Sequence, residues 1–195
     1  MNSVRRRWRN RWLPLCLLLT SAAAGADGRI GSEPVVKVAL LYKLTQFVSW
    51  PGDNWDEDWD RDRNRLPAGA PDPFRFCTLN DTSFDEALAA LEGRRVDGRA
   101  IQVETLLPDA HPDTCDLLFV SSTANTQSGY AMFERCRGKP ILTISDSNGF
   151  ADRGGMIEIT KRRKRLAFRI NLAATRANGI RIAAPLLELS TVIER

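Results

Sequence analysis

The sequence holds a single histidine in 195 residues, no apolar run long enough to span a bilayer, and four cysteines without a metal-type spacing. Each scarcity excludes something. A Ser-His-Asp or Cys-His hydrolase would have to use His111, which sits in Asp109-Ala110-His111-Pro112-Asp113, a proline-flanked loop with no nucleophile motif beside it. None of GxSxG, GxxxxGK[ST], GxGxxG or HExxH occurs. No CxxC pair joins Cys16, Cys77, Cys115 and Cys136, so no zinc site is expected. The chain therefore reads as a binding protein rather than an enzyme, with no metal and no cofactor. Carboxylate-pair catalysis stays open at this level, because acids distant in sequence can meet in the fold.

The apolar stretch nearest a membrane span is Trp12 to Leu19, well under the roughly 20 residues a spanning helix needs. It follows Arg5, Arg6, Arg7, Arg9 and Arg11 and precedes Ala22-Ala23-Ala24-Gly25-Ala26. A cationic head, a short apolar centre and small residues are the layout of a secretory signal, expected over 1–26 with cleavage near Ala24 to Ala26. The formal charge of +4 belongs largely to this segment. Residues 1–26 hold five of the 28 basic residues and none of the 24 acids, leaving 23 against 24, a net of −1. A nucleic-acid binder needs its positive charge on the folded surface, so that class is excluded.

The remainder, 27–195, suits one α/β domain. Glu33 to Trp50 reads as an amphipathic helix on Val36, Leu40, Leu44, Phe47 and Val48, ended by Pro51. Residues 52–73 form a polar insertion with six acids between Asp53 and Asp62, expected as a mobile loop, although Trp55 and Trp59 within it hint at contact. Strands are expected at Phe74–Leu79, Ala100–Leu106, Cys115–Ser121, Pro140–Ser145, Met156–Thr160 and Leu166–Leu172. Helices are expected at Phe84–Leu91 with Ser83 as N-cap, Tyr130–Cys136, Ala173–Asn178 and Pro185–Ile193. The basic run Lys161-Arg162-Arg163-Lys164-Arg165 falls at a hairpin tip. The order implies a three-layer α/β/α sandwich with a mixed, largely parallel sheet and a C-terminal antiparallel hairpin.

Two sets of residues are candidates for function. Asp146 and Asp152 border a turn-rich loop at the carboxyl end of a strand, where α/β sheets bind ligands, with Arg153 and Arg181 as anion contacts. Turn-forming aspartates are the alternative account. Phe47, Val48 and Trp50 are candidates for a partner face, with core packing as the equal alternative. In an oxidising compartment Cys77 and Cys115, on neighbouring strands, are placed for a disulfide, the alternative being two buried thiols; Cys136 is left over.

Several segments taken together resemble the YfiR-like (YfiR/HmsC) periplasmic regulators. They are KVALLYKLTQFVSWP (37–51), FRFCTLN (74–80) with FDEALAALEGRRVDGRAIQV (84–103), CDLLFVSS (115–122), GKPILTISDSNGFADRGGMIEI (138–159) and LAFRINLAATRANGIRIAAPLLELS (166–190). The resemblance implies a periplasmic, non-enzymatic protein that binds the periplasmic region of an inner-membrane diguanylate cyclase. Holding the cyclase inactive would lower cyclic di-GMP and biofilm formation. It also implies a homodimer, and it matches Cys77 and Cys115 to the family's first cysteine pair. The second pair of some members is missing, since Ser145 to Gly155 contains no cysteine. The alternative function is a periplasmic ligand-sensing module serving a membrane kinase or transporter.

Overall fold

The computed structural model describes residues 33–51, 72–79, 84–124, 126–162 and 165–194. The expected signal peptide, residues 52–71 of the insertion over 52–73 and the Ser83 cap lie outside the described residues. Helix α1 (Glu33–Thr45) stops at Thr45 rather than running to Trp50, and it buries Val38, Leu41, Leu44 and Thr45. The expected stripe was rotated: Val36 is exposed and Leu40 only half-buried. Most positions of this helix are apolar, so two different faces satisfy helical spacing, and only packing chooses between them. Beyond the helix the Phe47 N–H donates to the Leu44 carbonyl in a tight turn. The short strand β1 (Val48–Ser49) then pairs antiparallel with Arg181 and Ile182.

The chain continues through β2 (Phe74–Leu79), α2 (Asp85–Ala89), β3 (Arg95–Val96) and β4 (Arg99–Leu106). β5 (Leu117–Val120), α3 (Thr126–Arg135), β6 (Leu142–Ser145), a 3-10 turn at Ala151–Arg153 and β7 (Ile157–Arg162) follow. The last elements are β8 (Arg165–Asn171), α4 (Leu172–Ala177), β9 (Arg181–Ile182), α5 (Ala184–Glu188) and β10 (Ser190–Ile193). Eight strands form one sheet in the order β10-β8-β7-β6-β5-β2-β4-β3, while β1 and β9 make a separate two-stranded ribbon. β4, β2, β5, β6 and β7 run parallel, and β7 and β8 form the expected antiparallel hairpin, in register out to Arg162 opposite Arg165. The α/β fold with a largely parallel sheet and C-terminal hairpin is thus as expected.

Two further features depart from the sequence reading for identifiable reasons. The helix expected over Pro185–Ile193 ends at Glu188, and the β-branched residues Thr191, Val192 and Ile193 extend into β10, parallel to β8. The pairing of β3 with β4 was not anticipated, although its turn is Asp97-Gly98. Both residues have positive φ, 46° and 80°, the conformation a two-residue hairpin turn demands.

Alternation along the central strands divides the core. Phe74, Phe76, Leu117, Phe119, Leu142 and Ile144 face α1, α2 and α5. Cys77, Leu79, Leu118 and Val120 point the other way, into a smaller cluster with Met132 and Cys136 around α3. β5 is therefore apolar throughout, and β6, although it carries Thr143 and Ser145, is buried at every position, as strands covered on both faces are.

Candidate functional site

A cleft opens at the carboxyl ends of β5 and β6. Its apolar wall comes from Val120 at the end of β5, from Tyr130 and Phe133 on α3, and from Phe150 in the loop after β6. Ser121, Ser145 and Ser147 supply hydroxyls, and Arg153 stands at the rim. The Arg153 guanidinium lies 5.0 Å from the centroid of the Tyr130 ring and donates to the Asn148 carbonyl at 2.9 Å. Phe150 can occupy its place because residue 155 is glycine: a Cβ there would come within 2.1 Å of the phenyl ring.

The loop over 146–155 is clamped from several sides. Glu158 on β7 is buried, yet its carboxylate accepts from the Gly149 N–H at 3.1 Å and the Ala151 N–H at 3.0 Å. Arg169, opposite it on β8, donates to Glu158 at 3.1 Å and grips both oxygens of Asp152 at 2.8 Å each. The hydrogen bonds to Asp152, more than the neighbouring Glu158 charge, hold the Arg169 pKa above its ordinary value. Asn171 completes the clamp by donating to the Ala151 carbonyl at 2.9 Å, and its own Oδ1 caps α4 at the Ala174 N–H.

At the loop's start, Asp146 accepts from the Ser122 N–H and from Lys37 Nζ on α1, each at 2.6 Å. Lys37 also reaches Glu33, which in turn binds Lys161 on β7. Burial alone would pull the Lys37 pKa down, but its bonds to Asp146 and Glu33 outweigh that, and the net shift is upward. The Lys161 and Lys37 ammoniums hold the Glu33 carboxyl at about 2.

The four residues expected to share a ligand pocket are therefore dispersed. Arg153 lines the cleft. Asp146 is occupied by Lys37 and Ser122, Asp152 by Arg169, and Arg181 lies in the β1–β9 ribbon opposite Ser49. Lys37, Glu158 and Arg169 escaped the sequence reading. The one usable signal was Ile157-Glu158-Ile159, an acid set between apolar residues in a strand next to the parallel core.

The expected partner face divides similarly. Val48 and Trp50 are buried and Phe47 is half-buried against the same core. Trp50 packs edge-on to Phe74 with ring centroids 5.1 Å apart, and its indole N–H donates to the Asp116 carbonyl at 3.0 Å. Core packing, the alternative reading, accounts for Val48 and Trp50, because the chain turns inward after Thr45. Replacing Trp50 by phenylalanine keeps a ring against Phe74 but loses the bond to Asp116. A stability loss of about 1–2 kcal/mol is expected, seen as a lower denaturant midpoint at unchanged slope. Unchanged stability with weakened partner binding would return Trp50 to the interface.

Cys77 and Cys115 are joined as a disulfide, with α-carbons 5.9 Å apart. Cys136 is buried just past the end of α3, its thiol directed at the Met132 carbonyl, and burial pushes its pKa up to about 12. A thiol so placed is protonated and shielded from a second chain.

A family model described as YfiR/HmsC-like matches residues 62–191. The chain belongs to the YfiR/HmsC-like family. That family is known for periplasmic regulators of cyclic di-GMP signalling and not for enzymes. No curated protein matches the chain. Among solved structures, a conserved domain protein from Vibrio cholerae O1 biovar eltor is similar at 11% identity and a TM-score of 0.51. The likeness covers 84% of this chain and 60% of that one, so this chain spans about three-fifths of its length, and at such identity the match speaks to fold alone. The ABC domain from Streptococcus pneumonia, in complex with L-Trp, is similar at 12% identity and a TM-score of 0.46, over 62% of this chain and 55% of that one. No described helix of this YfiR/HmsC-like chain is long and apolar enough to cross a membrane. The segments that carry the family resemblance also carry the clamp: Asp146, Asp152, Glu158, Arg169 and Asn171 all lie within them. Between Ser145 and Gly155, where this chain has no cysteine, the loop is held by the carboxylate–guanidinium network.

Proposed function

We propose that the exported chain is a periplasmic repressor that binds the periplasmic region of an inner-membrane diguanylate cyclase and keeps it inactive, lowering cyclic di-GMP and biofilm formation. The family match over 62–191 carries this reading. The disulfide between Cys77 and Cys115 supports it, since such a bond persists in an exported protein and not in a reducing cytosol. The role is non-enzymatic, and the working form is a homodimer, as the resemblance implies. Phe47 remains the only one of the three expected interface residues with exposed surface to offer a partner.

The test is cellular cyclic di-GMP with the gene deleted and then restored. A rise on deletion, reversed by the exported protein, is the expected result. A chain expressed without residues 1–26 should fail to reverse it. Unchanged cyclic di-GMP across several growth conditions would overturn the repressor reading in favour of a ligand-sensing module for a membrane kinase or transporter, a role that the cleft beside Arg153 would serve.

A further inference from the structure

We propose that the cleft between α3 and the 146–155 loop binds a small monocarboxylate carrying one apolar or aromatic ring, with Arg153 as the carboxylate contact. The proposal rests on the cleft and not on the repressor role. Parallel α/β sheets bind ligands outside the carboxyl ends of their strands, where side chains from successive loops converge without disturbing the sheet. Val120 and Ser121 close β5 here, and Ser145 closes β6.

The lining chooses the chemistry. Among the described residues Arg153 is the one charged side chain that lines the cleft, and none of the lining residues is an acid, so the complementary ligand is an anion. A guanidinium carries five donors in a planar fork matched to a carboxylate. In Arg153 a bond to the Asn148 carbonyl and stacking on Tyr130 fix the plane of that fork. Behind it, Val120, Phe133 and Phe150 present apolar surface, with Phe133 and Phe150 packed edge-on at 5.4 Å between centroids. This is an apolar pocket with a few polar groups at fixed positions, the usual composition of a small-molecule site.

Size narrows the class further. The cleft is small and open to solvent at its mouth, which suits one ring with a short acid arm better than a nucleotide or a peptide. The walls are also preformed. Glu158 and Asn171 hold the backbone at Gly149 and Ala151, so Phe150 and Arg153 need little ordering when a ligand arrives.

The experiment uses the mature, disulfide-bonded protein and phenylacetate as the probe. Acetate and 2-phenylethanol, which carry only the anion or only the ring, serve as controls. A saturable rise in Tm is expected with phenylacetate, about 3–6 °C at ten times Kd, and a much smaller rise with either control. Arg153→Met at the exposed rim should weaken phenylacetate by at least about tenfold, the scale of one lost charge-assisted contact. Ala124→Phe, which fills the cleft from the β5–α3 loop, should abolish binding. If Ala124→Phe does not fold, Arg153→Met carries the comparison alone. No saturable rise up to about 20 mM phenylacetate, equal binding of 2-phenylethanol, or full binding by Arg153→Met would each overturn the proposal. All of these outcomes are independent of the cyclic di-GMP measurement, because a chain can bind a ligand without repressing a cyclase.

Discussion

Replacing Glu158 by alanine is expected to destabilise the protein by about 3–4 kcal/mol. The carboxylate is 2% exposed and accepts three hydrogen bonds, from the Gly149 N–H, the Ala151 N–H and Arg169. Removing it strips two backbone donors of their acceptor, each loss costing roughly 1–3 kcal/mol when buried, and leaves a space where the side chain was. The cost stays at the lower end for a broken buried pair because Arg169 keeps Asp152 and some access to water. Glu158→Gln fills the same space but can accept at only one of its two terminal atoms, so about half the loss is expected. Denaturant midpoints of the two variants measure this directly. Amide exchange adds a local reading: Gly149 and Ala151 should exchange faster in both variants, while amides of β2 and β5 change only as far as global stability falls. Alanine and glutamine variants as stable as the parent would show that water replaces the clamp without loss.

Removal of the disulfide by Cys77→Ala with Cys115→Ala is expected to cost about 4 kcal/mol, chiefly by freeing the unfolded chain. The bond closes a separation of 38 residues. That stretch includes α2, β3 and β4, so the unlinked chain regains the freedom of a large part of the sheet. Alanine suits the test better than serine, because Cys77 and Cys115 lie in an apolar cluster where a hydroxyl would lack a partner. Cys136→Ala serves as the control. It deletes a buried sulfur from the same cluster without touching a crosslink, and about 1 kcal/mol is expected. Reducing agent should lower the parent to near the double variant and leave the double variant unchanged. Equal losses from the double variant and from Cys136→Ala would mean that packing, and not chain restriction, is what the disulfide contributes.

Strand, helix and layer order were legible because each rests on a local pattern. Cys115-Asp116-Leu117-Leu118-Phe119-Val120 and Ile141-Leu142-Thr143-Ile144 are mostly apolar runs bounded by turn residues, the usual composition of a strand covered on both faces. The site was less legible. Asp146 and Asp152 stood out as polar residues in a turn, and both turned out to be engaged in holding that turn. Their partners, Lys37 and Arg169, lie 109 and 17 residues away, and no spacing rule relates them. The apolar wall of the cleft beside Arg153 was illegible for the same reason: Tyr130, Phe133 and Phe150 look like core residues until the loop geometry leaves a gap between them.

By itself, then, the sequence determined the α/β class, the hairpin at the Lys161–Arg165 run, and the family, through the order of its segments. All of these depend on residue type and short-range periodicity, which a chain expresses before it folds. Tertiary structure alone decided which face of α1 turns inward, that Trp50 belongs to the core, and that Ser190–Ile193 joins the sheet. It also decided that Glu158 and Arg169 hold the loop beside Arg153. Those outcomes depend on which surfaces meet, and in this protein the meeting surfaces come from segments far apart along the chain.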